Sequence, residues 1–263
     1  LLISSYNDDS SVFEQAMASR YYTEKGLNPV QVLEKVYSEG TSELSISEYN
    51  RYWHGYNFIV RLLLNFFNYS DIKVINTLIQ IALFTAVVIL FVKKNIQKYL
   101  VPFIVSIYIM SPFTLSLSMQ FTWCTYLSLI SVILLLKYRQ SIKCKLGYFR
   151  FFASIGIIIN FLDLFSIPLI TLGFPLIVLF IAEDIKDYKQ GINLLVICCC
   201  GWLLGYSFMW LLKWLLASVI LGKNAFKSAI EQMIYRSSMS SEKGSASQNF
   251  RHIDVVVRNL SLV

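Results

Sequence analysis

Residues 150–183 read RFFASIGIIINFLDLFSIPLITLGFPLIVLFIAE, and Asp163 is the one charged residue between Arg150 and Glu183. A second apolar run, GYSFMWLLKWLLAS at 205–218, carries only Lys213. A charge at membrane depth costs at least ~2.5–3.5 kcal/mol on insertion scales, so it persists where it is paired, wet or used. The first run is too long for one span and short for two. Its natural break is Ser166-Ile167-Pro168, because proline disfavours helical geometry in the residue before it. The expectation is a helix rising to about Phe165, a tight turn, and a helix descending to about Ala182. At ~1.5 Å per helical residue, Asp163 stands ~20 Å above Arg150 and Lys213 ~36 Å above Lys189, which brings both to one rim.

Composition points the same way. With 263 residues, 56% of them hydrophobic and 15% charged, and a mean hydropathy of +0.57, the chain is too apolar for an ordinary soluble domain. The net charge of +7 comes from Lys and Arg set in short loops between apolar runs. That is the pattern of topology signals and does not describe a nucleic-acid surface. The fold class is therefore all-α: a polytopic membrane helix bundle, multi-pass in the cell membrane, with the lipid bilayer as its partner. Cys124, Cys144 and the consecutive Cys198, Cys199 and Cys200 show neither metal-ligand spacing nor a disulfide framework, and read as small apolar residues.

Working outward gives three regions. Residues 1–72 hold nine acidic residues against five Lys or Arg and read as an extracytoplasmic segment of interfacial helices. Ser11 with Glu14 forms a capping box for a helix to about Tyr22, Asn28-Pro29 starts a second helix ending at Glu39-Gly40, and Ser45-Ile46-Ser47-Glu48 starts a third. Residues 73–221 supply about six spans, with first members at about 74–92, 99–118 and 122–136. Lys93, Lys94, Lys98 and the loop 137–150 carry the positive charge expected on the cytoplasmic side. Residues 222–263 read as an external loop leading towards a further span. The Leu1-Leu2-Ile3 start reads as the exit of a missing first span.

Several residue groups are candidates for chemistry, each with a structural rival. Asp8 and Asp9 can accept a proton from a hydroxyl or hold a divalent cation, and can equally cap a helix. Asp163 and Lys213 can form a buried ion pair or line a polar cavity where Lys213 meets a phosphate; Lys213 can also snorkel to the interface. His54, beside Arg51 and Arg61, suits catalysis or an aromatic interfacial belt. Arg236 and Arg251 suit a lipid phosphate or plain solvation. No phosphate loop, HExxH, GxSxG or paired CxxC occurs.

An acidic motif at Asn7-Asp8-Asp9 soon after a first span, an external segment of interfacial helices and many spans with short loops together resemble the GT-C class of membrane glycosyltransferases. The string Arg51-Tyr52-Trp53-His54-Gly55-Tyr56, with Arg61, also resembles a segment of bacterial membrane proteins of this class. The resemblance implies sugar transfer from a polyprenyl-phosphate-linked donor to an acceptor at the extracytoplasmic face. It makes Asp8 and Asp9 the catalytic residues, one of them the base or its neighbour, and His54, Arg51, Asp163, Lys213 and Arg236 substrate-binding. It leaves the cofactor unspecified. The competing expectation is a transporter or lipid flippase that uses Asp163 and Lys213 as intramembrane charges near helix breaks at Pro168 and Pro175.

Overall fold

The computed structural model describes residues 12–42, 44–49, 52–109, 117–119, 122–163, 166–183, 185 and 187–220. Its helices are α1 (Val12–Met17), α2 (Pro29–Glu39), α3 (Gly55–Leu64), α4 (Tyr69–Lys93), α5 (Leu100–Ile109), α6 (Thr122–Ile142), α7 (Lys145–Leu162), α8 (Ile170–Glu183) and α9 (Tyr188–Ile220). Three helices are long and apolar enough to cross a membrane: Tyr69–Lys93, Lys145–Leu162 and the stretch Tyr188–Val219 of α9. The apolar helices Gly55–Leu64, Gln97–Ile109 and Ile170–Glu183 are shorter. The chain divides into two compact units after Lys213. In the second, Trp214–Ile220 continues as helix, and the Ser218 hydroxyl donates back to the Trp214 carbonyl at 2.8 Å.

In the first unit α6 lies against α4, α7 and α8. A helix enclosed this way must satisfy its buried polar groups with its neighbours. The Gln80 amide on α4 donates to the Thr122 hydroxyl at 2.6 Å, and Tyr126 donates its hydroxyl to the Asn76 carbonyl at 2.9 Å. Such side chains reduce the mean hydropathy of a helix yet join it to its neighbours. Apolar layers of Phe91, Phe103, Val132, Leu135, Phe152 and Leu179 fill the space between.

The chain runs up and down between two ends. At one end, α3 and the residues before it cover α7 and α9: Trp53 packs edge-on against Phe161 at 5.2 Å and donates its indole N–H to the Met209 carbonyl at 3.0 Å. At the other, Glu183 on α8 meets Tyr148 on α7 at 2.8 Å and Arg139 on α6 at 3.5 Å. The first is called here the capped end and the second the basic end. Asp163 closes α7 at the capped end, and the 166–169 turn containing Pro168 leads into α8.

The segment expected as a run of interfacial helices is different. Helix α1 stops at Met17, and strands β1 (Ser19–Thr23) and β2 (Ser45–Tyr49) pair antiparallel with Arg20 opposite Glu48. The all-α expectation is corrected here by a small sheet. Tyr, Ile and Thr favour pleated backbone, and cross-strand partners decide the outcome: Arg20 and Glu48 lie 3.8 Å apart, and the Thr23 and Ser45 hydroxyls 3.1 Å. Helix α2 begins as its sequence dictates. Asn28 Oδ1 accepts from Val30 and Gln31 amides at 3.0 Å, Gln31 reaches back to the Asn28 amide at 2.9 Å, and Gly40 ends it at φ +85°. The expected loop 137–150 is mostly helix, broken only at Lys143 and Cys144, where Cys144 Sγ accepts from the Gly147 amide at 3.2 Å.

Helices α7 and α9 touch through glycines. A Cβ on Gly201 would stand 2.6 Å from the Phe149 carbonyl oxygen; one on Gly205 would strike the Ala153 carbonyl, and one on Gly156 the Trp202 carbonyl. Small residues four apart let spanning helices approach backbone to backbone. Gly205→Leu should therefore lower the thermal midpoint in detergent by an amount corresponding to about 1–3 kcal/mol or more of overpacking. Gly173→Ala, where a Cβ meets nothing within 4 Å, should not lower it.

Candidate functional site

Lys213 sits at the capped end, completely enclosed. Its ammonium donates to the carbonyl of Met17, the last residue of α1, and lies 5.5 Å from the Trp53 ring centroid. A helix leaves its final carbonyls without intrahelical donors and carries partial negative charge there, so a cation at that point is satisfied electrostatically. The Trp53 indole covers the cation while bonding the Met209 carbonyl one turn earlier on α9. Glu48 on β2 lies within electrostatic reach. Lys213 thus fastens α1 and the segment around Trp53 to α9. It neither snorkels nor faces an open cavity.

His54 belongs to the same clamp. Its amide donates to the Ala16 carbonyl at 2.8 Å, its Nδ1 lies 3.1 Å from the Tyr56 hydroxyl, and the residue is buried. Gly55 follows where a Cβ would stand 2.5 Å from the Phe161 carbonyl oxygen. The Trp53-His54-Gly55 string is thereby explained as a plug: indole, buried imidazole, and a residue with no side chain against α7.

Asp163 is also buried, with different partners. Its carboxylate accepts from the Ser166 amide at 2.7 Å and from the Ser166 hydroxyl, and Cys124 Sγ on α6 lies 3.4 Å from that hydroxyl. This is the geometry of a capping carboxylate that shapes the turn into α8. Burial raises the carboxyl above its ordinary range, while the bonds from Ser166 and Cys124 pull it back down. Asp163 and Lys213 share an end of the molecule. They do not form the ion pair that was one expectation, since each is engaged separately. Of the remaining candidates, Asp8, Asp9, Arg51 and Arg236 lie outside the described residues, as does Arg251.

Between these two charges lies a polar and aromatic cluster that the sequence reading passed over. Trp202, Tyr206 and Trp210 form a ladder along α9, with Trp202 stacked on Tyr206 at 4.9 Å and Tyr52 stacked on Trp210 at 6.0 Å. The Tyr206 hydroxyl lies near Asn160 and within electrostatic reach of Asp163, Cys124 and Tyr52. Asn160 Oδ1 and Trp123 Nε1 are buried with no hydrogen-bond partner among the described residues. A buried amide oxygen or indole N–H left so is costly, and each is a point where water or a ligand hydroxyl gains a hydrogen bond. The i, i+4, i+8 spacing of the ladder and the pair Gly201 and Gly205 were the signals available in the sequence. Among the described residues, no group of three His, Cys, Asp or Glu side chains is placed to hold a metal ion.

No protein family, curated protein or solved structure matches this chain.

Loss of the Lys213 donor should free the segment that it holds. In Lys213→Met, hydrogen exchange at the amides of Ala18 and His54 should speed up by roughly tenfold to a hundredfold, the equivalent of a charge-assisted hydrogen bond. Lys213→Arg should stay closer to the parent. Unchanged exchange in Lys213→Met would mean that the ammonium does not anchor the segment.

Proposed function

We propose that this chain is an integral membrane glycosyltransferase that moves a sugar from a polyprenyl-phosphate-linked donor to an acceptor at the extracytoplasmic face. On this reading the helices form a polytopic bundle, the capped end faces outward and the basic end faces the cytoplasm, in keeping with the excess of lysine and arginine at the latter. The observation that carries it is the fastening of α1 by Lys213. Asp8 and Asp9 stand four and three residues before Val12, the first residue of α1. The anchor therefore holds α1, which follows the acidic motif in sequence, at the end where Asp163, Asn160 and Tyr206 gather.

Such a reaction needs a base for the acceptor hydroxyl and stabilisation of the departing phosphate. Asp8 or Asp9 supplies the base, removing the hydroxyl proton as the oxygen bonds the anomeric carbon and the bond to the donor phosphate breaks. Lys213 does not serve as the phosphate clamp, because its ammonium is already enclosed by Met17 and Trp53. It is a positioning residue. The phosphate falls to external arginines, of which Arg236 is the leading choice. Tyr52 and Trp210 offer aromatic faces, and Asn160 an amide oxygen, to a hydroxyl-rich substrate.

A transporter reading is favoured by one observation: a buried, protonatable Asp163 at the break between α7 and α8, with Pro175 inside α8. Variants separate the two. Asp8→Asn or Asp9→Asn should lower transfer of labelled sugar from a polyprenyl phosphate in membranes by roughly 10²–10⁴-fold at unchanged protein level, while Asp163→Asn, which keeps an acceptor for Ser166, should retain most of it. Undiminished transfer in both Asp8 and Asp9 variants would remove the catalytic assignment. Substrate flux in vesicles that depends on Asp163 and on neither of the other two would favour transport.

A further inference from the structure

A cavity of about 450 Å³ between α4, α5 and α6 has an apolar lining, but a smaller one of about 160 Å³ at the basic end does not. Lys94, Lys137, Arg139 and Gln140 line the smaller cavity together with Ile96, Leu136 and Ala182. Three helices converge there: the C-terminal end of α4, the last two turns of α6, and the end of α8.

Helix C-termini repel anions, so cations at this place have an ordinary duty as dipole partners. Arg139 performs it, donating to the Ala182 carbonyl. Lys94 and Lys137 are left over. The carboxylate of Glu183 is shared by Arg139 at 3.5 Å, Lys143 at 3.3 Å and the Tyr148 hydroxyl at 2.8 Å. Neither Lys94 nor Lys137 has a carboxylate partner among the described residues. Two cations share one carboxylate, while the two uncompensated lysines line a recess that Ile96, Leu136 and Ala182 also line. A phosphate ester carries the charge that such a recess lacks, and its apolar substituent matches the apolar part of the lining.

We infer that the recess formed by Lys94, Lys137 and Arg139 binds the phosphate of an anionic phospholipid headgroup, with Ile96, Leu136 and Ala182 against the first carbons of the lipid. A lipid is chosen over a soluble phosphate ester because the recess lies at the C-terminal end of α4, which is long and apolar enough to cross a membrane, and basic recesses between membrane helices are suited to lipid phosphates. The inference is independent of the sugar-transfer reading, which concerns the capped end.

The test is native mass spectrometry of the full chain in detergent, titrated with phosphatidylglycerol and with phosphatidylcholine of the same acyl chains. Phosphatidylglycerol should bind more tightly, and Lys94→Gln with Lys137→Gln should weaken it by roughly tenfold to thirtyfold, as expected for two lysines near a lipid phosphate. Lys94→Arg with Lys137→Arg should keep the preference. Lys98→Gln, which alters a lysine that instead covers the Tyr99 ring, should leave it intact. Equal binding of the two lipids by the parent, or an unchanged preference in the double Gln variant, would overturn the assignment. Binding of glycerol 3-phosphate alone at the concentrations effective for phosphatidylglycerol would assign the recess to a soluble ester. Should the double Gln variant not fold, Lys137→Gln alone and the comparison of the two lipids on the parent decide the matter.

Discussion

Helices α7 and α9 touch backbone to backbone because Gly156, Gly201 and Gly205 have no side chains to hold them apart. Lipid tails are as apolar as leucine, so burying apolar surface between two spanning helices gains little; what remains is close packing and hydrogen bonding. The contact sets the level of everything above it. With Gly156 against Trp202, the next turns bring Asn160 beside Tyr206 and Phe161 beside the indole that covers Lys213. A side chain at any of these glycines would move two charged sites at once.

Both charges in the apolar runs then find local partners of an unexpected kind. Lys213 meets a backbone carbonyl and a ring face; Asp163 meets an amide, a hydroxyl and a thiol's neighbourhood. Both are buried, so each is removed from water whether or not the two are paired. Satisfying each one separately with dipoles and hydrogen bonds lets each charge shape a different feature. Asp163 fixes a turn. Lys213 fixes a segment far away in sequence.

Much of this was legible in the residues. Proline in Ser166-Ile167-Pro168 and the length of the apolar run set the break between α7 and α8, and Asn28-Pro29 with Gly40 bounded α2, because these signals act through local backbone geometry. Counting helical rise put Asp163 and Lys213 at one end for the same reason. The strands were hidden: Ser45 to Glu48 looks like a helix start, and only its pairing with Ser19–Thr23 makes it a strand. The partner of Lys213 was hidden too, since any residue offers a carbonyl and no side-chain identity marks Met17 as the one chosen. Gly201 and Gly205 stood in plain view at the spacing that close helix contact requires; without α7 beside them, nothing says which helix they meet.

The two ends of the bundle treat charge in opposite ways, and that contrast bears on what each can do. At the capped end, the buried charges are enclosed and engaged, so they hold structure, and Asn160 Oδ1 and Trp123 Nε1 are buried without a hydrogen-bond partner among the described residues. At the basic end, Glu183 engages its neighbours while Lys94 and Lys137 remain exposed. An enclosed ammonium that already donates to a carbonyl has little affinity left for an anion, whereas an exposed one loses only water. Attraction for phosphate at this molecule therefore resides where its cations are uncompensated rather than where its membrane-depth lysine draws the eye.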